Sequence, residues 1–202
     1  FAHTPPPSAD HRDDRRSRRP MGNFLSNAQQ EEDIANDEAL FNACEYGDED
    51  ALAALLRDTI ANVNHVDREQ DGATPLIVAA AEGHAGCIRQ MIATGNARLD
   101  FPDKFGMTPL HTAAHWDRAE VVEVLCAAGA DTSLRDQPGR TPAHIAAERD
   151  NEASLRVLVV AHGARVDATN KAGQTVYDVA AANGADGCVA LLETLDDRAA
   201  YA

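Results

Sequence analysis

One spacing constrains this chain more than any other feature of it. Thr74-Pro75-Leu76, Thr108-Pro109-Leu110 and Thr141-Pro142-Ala143 recur 34 and 33 residues apart, and Thr175-Val176-Tyr177 comes after another 34. A glycine stands two residues before each threonine: Gly72, Gly106, Gly139 and Gly173. A second series, Gly95, Gly129 and Gly163, falls 21 or 22 residues after the first three threonines. Several independent markers sharing one period predict a repeat architecture, in which each unit buries its apolar face only by stacking on its neighbours.

The residues between the markers say what each unit is. Thr is a good helix N-cap, and Pro suits the first helical position. A small-residue run comes next, as in Leu110-His111-Thr112-Ala113-Ala114, whose alanines let neighbouring helices approach closely. Then comes Glu120-Val121-Val122-Glu123-Val124-Leu125-Cys126, with apolar positions at helical spacing. Gly129 is placed to end that second helix in a left-handed cap. Composition agrees: 44% of the chain is hydrophobic but only 4% is aromatic, which suits close-packed small helices.

At this point the chain resembles the ankyrin-repeat family. The likeness rests on Thr108-Pro109-Leu110-His111-Thr112-Ala113-Ala114 with Gly129-Ala130-Asp131, and on Thr141-Pro142-Ala143-His144-Ile145-Ala146-Ala147 with Gly163-Ala164. It implies an all-α solenoid of helix–turn–helix units with projecting hairpin loops. The expected domain covers residues 37–198 in about five repeats: an N-terminal cap at 37–67, then 68–102, 103–135, 136–169 and a C-terminal cap at 170–198. Residues 1–36 are expected to be disordered, and 199–202 to form a tail. The last repeat has Asp178 where His111 and His144 stand, and that carboxylate can complete a capping box with Thr175. Two repeats carry one extra residue each, expected in loops around Asp100-Phe101-Pro102-Asp103 and around Arg149-Asp150-Asn151-Glu152. Asp117 stands where the family usually has glycine.

Chemistry finds little support in the sequence. The net charge of −15 argues against nucleic acid and anionic lipid as partners. Residues 1–20 hold five Arg and three Asp, a balance of +2 against −15 for the chain, so the rest carries −17. No run of about 18 apolar residues is present to cross a membrane, and residues 1–20 lack the apolar centre of a secretory signal. Cys44, Cys87, Cys126 and Cys188 are far apart, form no CxxC pair and fall on core positions of the repeat. They read as small buried hydrophobes in a reduced, cytoplasmic setting, with nuclear or peripheral-membrane placement as the alternatives. His111 and His144 share one repeat slot, and a residue repeated in register is expected to serve the repeat, here by bonding groups of the neighbouring loop. His84 gets the same reading. No catalytic set, metal site or cofactor motif is visible, so a monomeric non-enzyme is expected.

The expected function is therefore protein–protein interaction, as scaffold, adaptor or competitive inhibitor. The resemblance implies a concave binding face made of hairpin tips and the exposed side of each first helix. By position, the third repeat contributes Lys104, Phe105, Met107, His115 and Trp116, and the fourth Arg140, Glu148 and Arg149. Aromatic and Arg residues are the usual anchors of an interface, and Arg140 and Arg149 are expected to frame an acidic group on the partner. Two other readings stand beside this one: a regulatory ankyrin fragment of a larger enzyme or channel, and a membrane-tethered adaptor. The second rests on Met21-Gly22-Asn23-Phe24-Leu25-Ser26, an N-myristoylation pattern with Gly22 as the acceptor if translation begins at Met21.

Overall fold

The computed structural model describes residues 27–57, 62–67 and 71–200. Within them lie ten helices in five pairs. The first pair is α1 (Asn27–Tyr46) with α2 (Glu49–Arg57), and the second α3 (Pro75–Glu82) with α4 (Ala85–Ala93). Then come α5 (Pro109–His115) with α6 (Ala119–Ala127), and α7 (Pro142–Glu148) with α8 (Glu152–Arg156), which runs on into a π-helical turn, Val157–Ala161. The last pair is α9 (Val176–Asn183) with α10 (Asp186–Ala200). First helices stack on first helices, α1 on α3, α5, α7 and α9 in turn, and second helices form the other layer. One continuous core runs between the layers, from Leu40 through Leu76, Leu110, Leu125 and Leu155 to Leu192.

The caps are as the residues dictate. Thr74 Oγ1 accepts from the Ile77 amide at 3.3 Å, and Thr108 does the same for His111 at 3.4 Å. Asp178 completes the box at Thr175, taking the Thr175 amide at 2.8 Å. The helix–helix turns put a residue in the left-handed region each time: Gly47, Gly83, Asp117, Asp150 and Gly184. Aspartate tolerates that conformation better than most residues, and here its carboxylate is also used. Asp117 Oδ1 accepts the Ser154 amide of the next repeat at 3.0 Å, and Asp150 Oδ1 the Cys188 amide at 2.9 Å.

Further side chains join one repeat to the next. Thr108 donates its amide to His111 Nδ1 at 3.2 Å, leaving Nε2–H to donate to the Arg140 carbonyl at 3.1 Å. His144 repeats this with Thr141 and the Gln174 carbonyl, at 3.3 and 3.2 Å. On the turn side, His84 reaches the Glu45 carbonyl (3.1 Å), Arg118 the Ala81 carbonyl (2.9 Å) and Asn151 the carbonyls of Ala114 and His115 (2.8 and 2.9 Å). Those carbonyls are helix C-terminal groups with no partner in their own helix.

Three expectations need correction. Residues 27–36, expected to be disordered, belong to the long helix α1, and α10 runs on through Ala199 and Ala200 of the expected tail. The extra residue of the fourth repeat is not between its helices: Asp150 lies as far beyond Thr141 as Asp117 lies beyond Thr108. It sits inside the second helix, as the π-helical turn Val157–Ala161, which absorbs one residue without breaking the packing of Leu155 and Leu158. The extra residue of the second repeat is Asn96, since Gly95 and Ala97 are separated where Gly129-Ala130 and Gly163-Ala164 are adjacent. The π turn gives a prediction: deleting Val160, whose side chain is exposed, restores a regular helix. A thermal melt followed by circular dichroism is expected to keep or raise the midpoint, and a large drop contradicts the assignment.

Candidate partner-binding face

The hairpin loops are built on Asp or Asn. Asp103 Oδ1 accepts the amides of Phe105 and Met107, both at 2.8 Å, and Asp136 Oδ1 accepts that of Arg140 at 2.7 Å. Asn170 does the same for Ala172 and Gln174, at 2.9 and 3.0 Å. Successive hairpins also bond to each other: Lys104 to the Asp71 carbonyl at 2.9 Å, Gln137 to that of Phe105 at 2.9 Å and Lys171 to that of Pro138 at 3.1 Å. The tips therefore form a continuous, ordered edge.

The five expected site residues of the third repeat fall into two groups at opposite ends of α5. At the hairpin end, Lys104 pairs with Asp71 and lies 4.9 Å from the centroid of the Phe105 ring. Phe105 remains 46% exposed, and Met107, two residues on, is half-buried. At the other end, Trp116 is 54% exposed and meets His115 edge to face, ring centroids 5.0 Å apart. About 12 Å of helix rise separates the groups.

The fourth repeat supplies the neighbours of His115 and Trp116. Arg140 was expected to be free for a partner's acid, and it is not. Its Nε lies 2.9 Å from Asp136 Oδ2, and its outer nitrogen reaches along α7 to Glu148 at 2.5 Å. Asp136 is buried, so this pair is structural. Arg149 is exposed and makes no ion pair among the described residues. Partial burial holds the His115 imidazole below its usual pKa, helped by the positive charges of Arg149 and Arg140 and opposed by Glu148. His115 is accordingly a neutral, largely apolar neighbour of Trp116 at pH 7.

Two exposed aromatics, Tyr46 and Tyr177, lie outside the expected site. Tyr46 closes α1 and is 74% exposed. It precedes Gly47 just as Trp116 precedes Asp117, so it occupies the same slot two repeats earlier. At the far end, a groove of about 470 Å³ opens between α9 and α10, lined by Val166, Tyr177, Leu192 and Leu195.

The cysteines are unreactive by environment. Burial pushes Cys44 and Cys188 up to about 12 and the half-buried Cys126 up to about 11. No group of three or more His, Cys, Asp or Glu among the described residues is arranged to hold a metal. No helix among them is long and apolar enough to cross a membrane. Gly22 lies outside the described residues.

Stacked helix pairs with one ordered, side-chain-rich edge define a helical repeat scaffold. The family model for ankyrin repeats in three copies matches residues 40–136 and 128–198, and the chain belongs to the ankyrin-repeat family. Ankyrin repeats are protein–protein interaction modules. The chain is similar to protein phosphatase 1 regulatory subunit 12A of Mus musculus, 37% identical over 76 residues, which are 38% of this chain and 7% of that protein. It is similar to neurogenic locus notch homolog protein 1 of Xenopus tropicalis, 31% identical over 151 residues, 73% of this chain and 6% of that one. It also matches ankyrin repeat and SAM domain-containing protein 6 of Mus musculus, 33% identical over 97 residues, 48% of this chain and 11% of the other. The chain spans less than a tenth of the length of the first two.

Proposed function

We propose that this chain binds a protein partner on the face made by its hairpin tips and first helices, as a scaffold, adaptor or competitive inhibitor. The observation that carries the reading is the pair of exposed aromatic groups, Phe105 and Trp116, held on rigid elements at the ends of α5. Exposed aromatics on a pre-ordered surface lose little entropy on binding and make good anchors. Lys104, Met107, His115 and Arg149 border them, and the Arg140–Glu148 pair ties the fourth hairpin to the end of α7. The likeness to a phosphatase regulatory subunit favours a regulatory role beside a larger catalytic protein.

The test is affinity capture from native lysate with the whole chain and with Phe105→Ala/Trp116→Ala. A partner enriched by the first and lost by the second, at a cost of about 2 kcal/mol or more, is expected. Equal capture by both, with the variant still folded, refutes the face. A second reading adds a membrane tether, favoured by the Met21-Gly22 to Ser26 pattern. A myristoyl increment in the intact mass of the native protein supports it, and an unmodified Gly22 removes it.

A further inference from the structure

The residue just before each left-handed turn residue forms a row along the stack. It reads Tyr46, Glu82, Trp116, Arg149, Asn183, each succeeded by Gly47, Gly83, Asp117, Asp150 or Gly184. All five are exposed. Neighbouring rungs are in direct register: Asn151, two residues after Arg149, grips the carbonyls of Ala114 and His115, and Arg118, two residues after Trp116, grips that of Ala81 beside Glu82. Many surface cations here are already matched, as in Arg89 with Glu120, Arg156 with Glu152 and Arg165 with Asp167. Glu82 and Arg149 make no ion pair among the described residues. They flank the only Trp of the chain with opposite charges.

We infer that this row holds an extended segment of the partner carrying a basic residue against Glu82, a bulky apolar residue against Trp116 and an acidic residue against Arg149. The inference rests on the protein-binding reading above and gives it a sequence. Packed helices lie about 8–10 Å apart, and an extended chain rises about 3.3 Å per residue. Three residues of peptide therefore match one repeat. The segment reads base-x-x-apolar-x-x-acid, in whichever chain direction the partner lies. Charge complementarity selects this occupant: a uniformly basic segment, which the net charge of −15 favours in general, meets Arg149 unfavourably, and a uniformly acidic one meets Glu82.

The probe is a displayed library of random nonapeptides, selected on the whole chain and on three variants: Glu82→Lys, Arg149→Glu and Trp116→Ala. Selection on the parent is expected to enrich one base and one acid six positions apart about a central apolar residue. Glu82→Lys is expected to enrich acids at both ends, and Arg149→Glu bases at both ends. Each charge variant binds the parent's best peptide about tenfold less well, with an unchanged thermal midpoint. Enrichment of another pattern, the same pattern on every charge variant, or no enrichment overturns the inference. If such other peptides are lost on Trp116→Ala, the face still binds protein and only the row is wrong. If they bind Trp116→Ala as well as the parent, the row is wrong and they sit away from Trp116; binding that also survives Phe105→Ala/Trp116→Ala makes the face itself wrong, which the lysate capture checks separately.

Discussion

Replacing His111 by Ala is expected to cost about 3 kcal/mol of stability, read as a shift in the urea midpoint. The ring is fully buried between α5 and the next repeat. Its loss opens a cavity, and cavities are costly where the surroundings cannot collapse. It also strips the Thr108 amide of its partner and takes from the Arg140 carbonyl one of two donors, the other being the Asp136 amide at 3.0 Å. His111→Gln separates the contributions. A Gln carboxamide oxygen can take the Thr108 amide in a capping box, as Asp178 takes that of Thr175, but it cannot also fill the reach to Arg140. About half the loss is expected to return. A His111→Ala variant as stable as the parent contradicts the account.

The same histidines set a pH dependence. Burial holds His111 and His144 below the ordinary value of 6.5, against the opposing pull of the carbonyls they bond. The unfolded chain takes up protons at both sites as the pH falls through 6.5, and the folded chain does not. The stability they contribute is therefore fully present above pH 6.5 and is lost progressively below it. The thermal midpoint is expected to fall between pH 7 and pH 5, and to fall less in His111→Gln/His144→Gln. An equal fall in both proteins assigns the effect to other groups.

The repeat period, the Thr caps and the buried rows were legible because each arises from local chemistry repeated in register. Features that depend on how a helix absorbs strain were not. Counting from Thr141 to Gly163 reveals one extra residue but does not say whether loop or helix takes it. Aligning Asp150 with Asp117 does, since both must stand at a fixed distance beyond the first helix. Residues 27–36 look too polar to order alone, yet they extend a helix whose later turns, around Leu40 and Cys44, are anchored in the core. At the proposed binding face, Phe105 and Trp116 were legible as register positions that face solvent. The engagement of Arg140 was not, because Glu148 lies eight residues away and the pairing depends on the side chain lying along α7. Tyr46 is within reach of the same counting, since Cys44 shares its slot with Ala80 and Ala114 and Tyr46 stands two residues on. The first repeat lacks the Thr-Pro pair that sets the register elsewhere, and without that marker the slot of Tyr46 is easily missed.

Gly106→Val is expected to destabilise the chain by about 3 kcal/mol and to disturb Phe105 beside it. Gly106 has φ of +81°, a region costly for any residue with a Cβ and most of all for a β-branched one. Sterics add to this. A Cβ there stands 3.1 Å from the Gln137 nitrogen and 3.2 Å from the Asp136 Cα, both backbone atoms of the next hairpin. Neither can move off freely, because Gln137 N–H donates to the Phe105 carbonyl at 2.9 Å and Asp136 holds Arg140. Gly173 provides the internal comparison. Its φ is +77°, yet nothing lies within 4 Å of a Cβ placed there, since no described hairpin stacks beyond it. Gly173→Val therefore carries the dihedral cost alone and is expected to lose about 1–2 kcal/mol less than Gly106→Val. Equal losses at the two sites make the hairpin-to-hairpin contact energetically irrelevant. A larger loss at Gly106, together with weakened capture of a partner, ties the rigidity of the stacked hairpins to the placement of Phe105 on the proposed face.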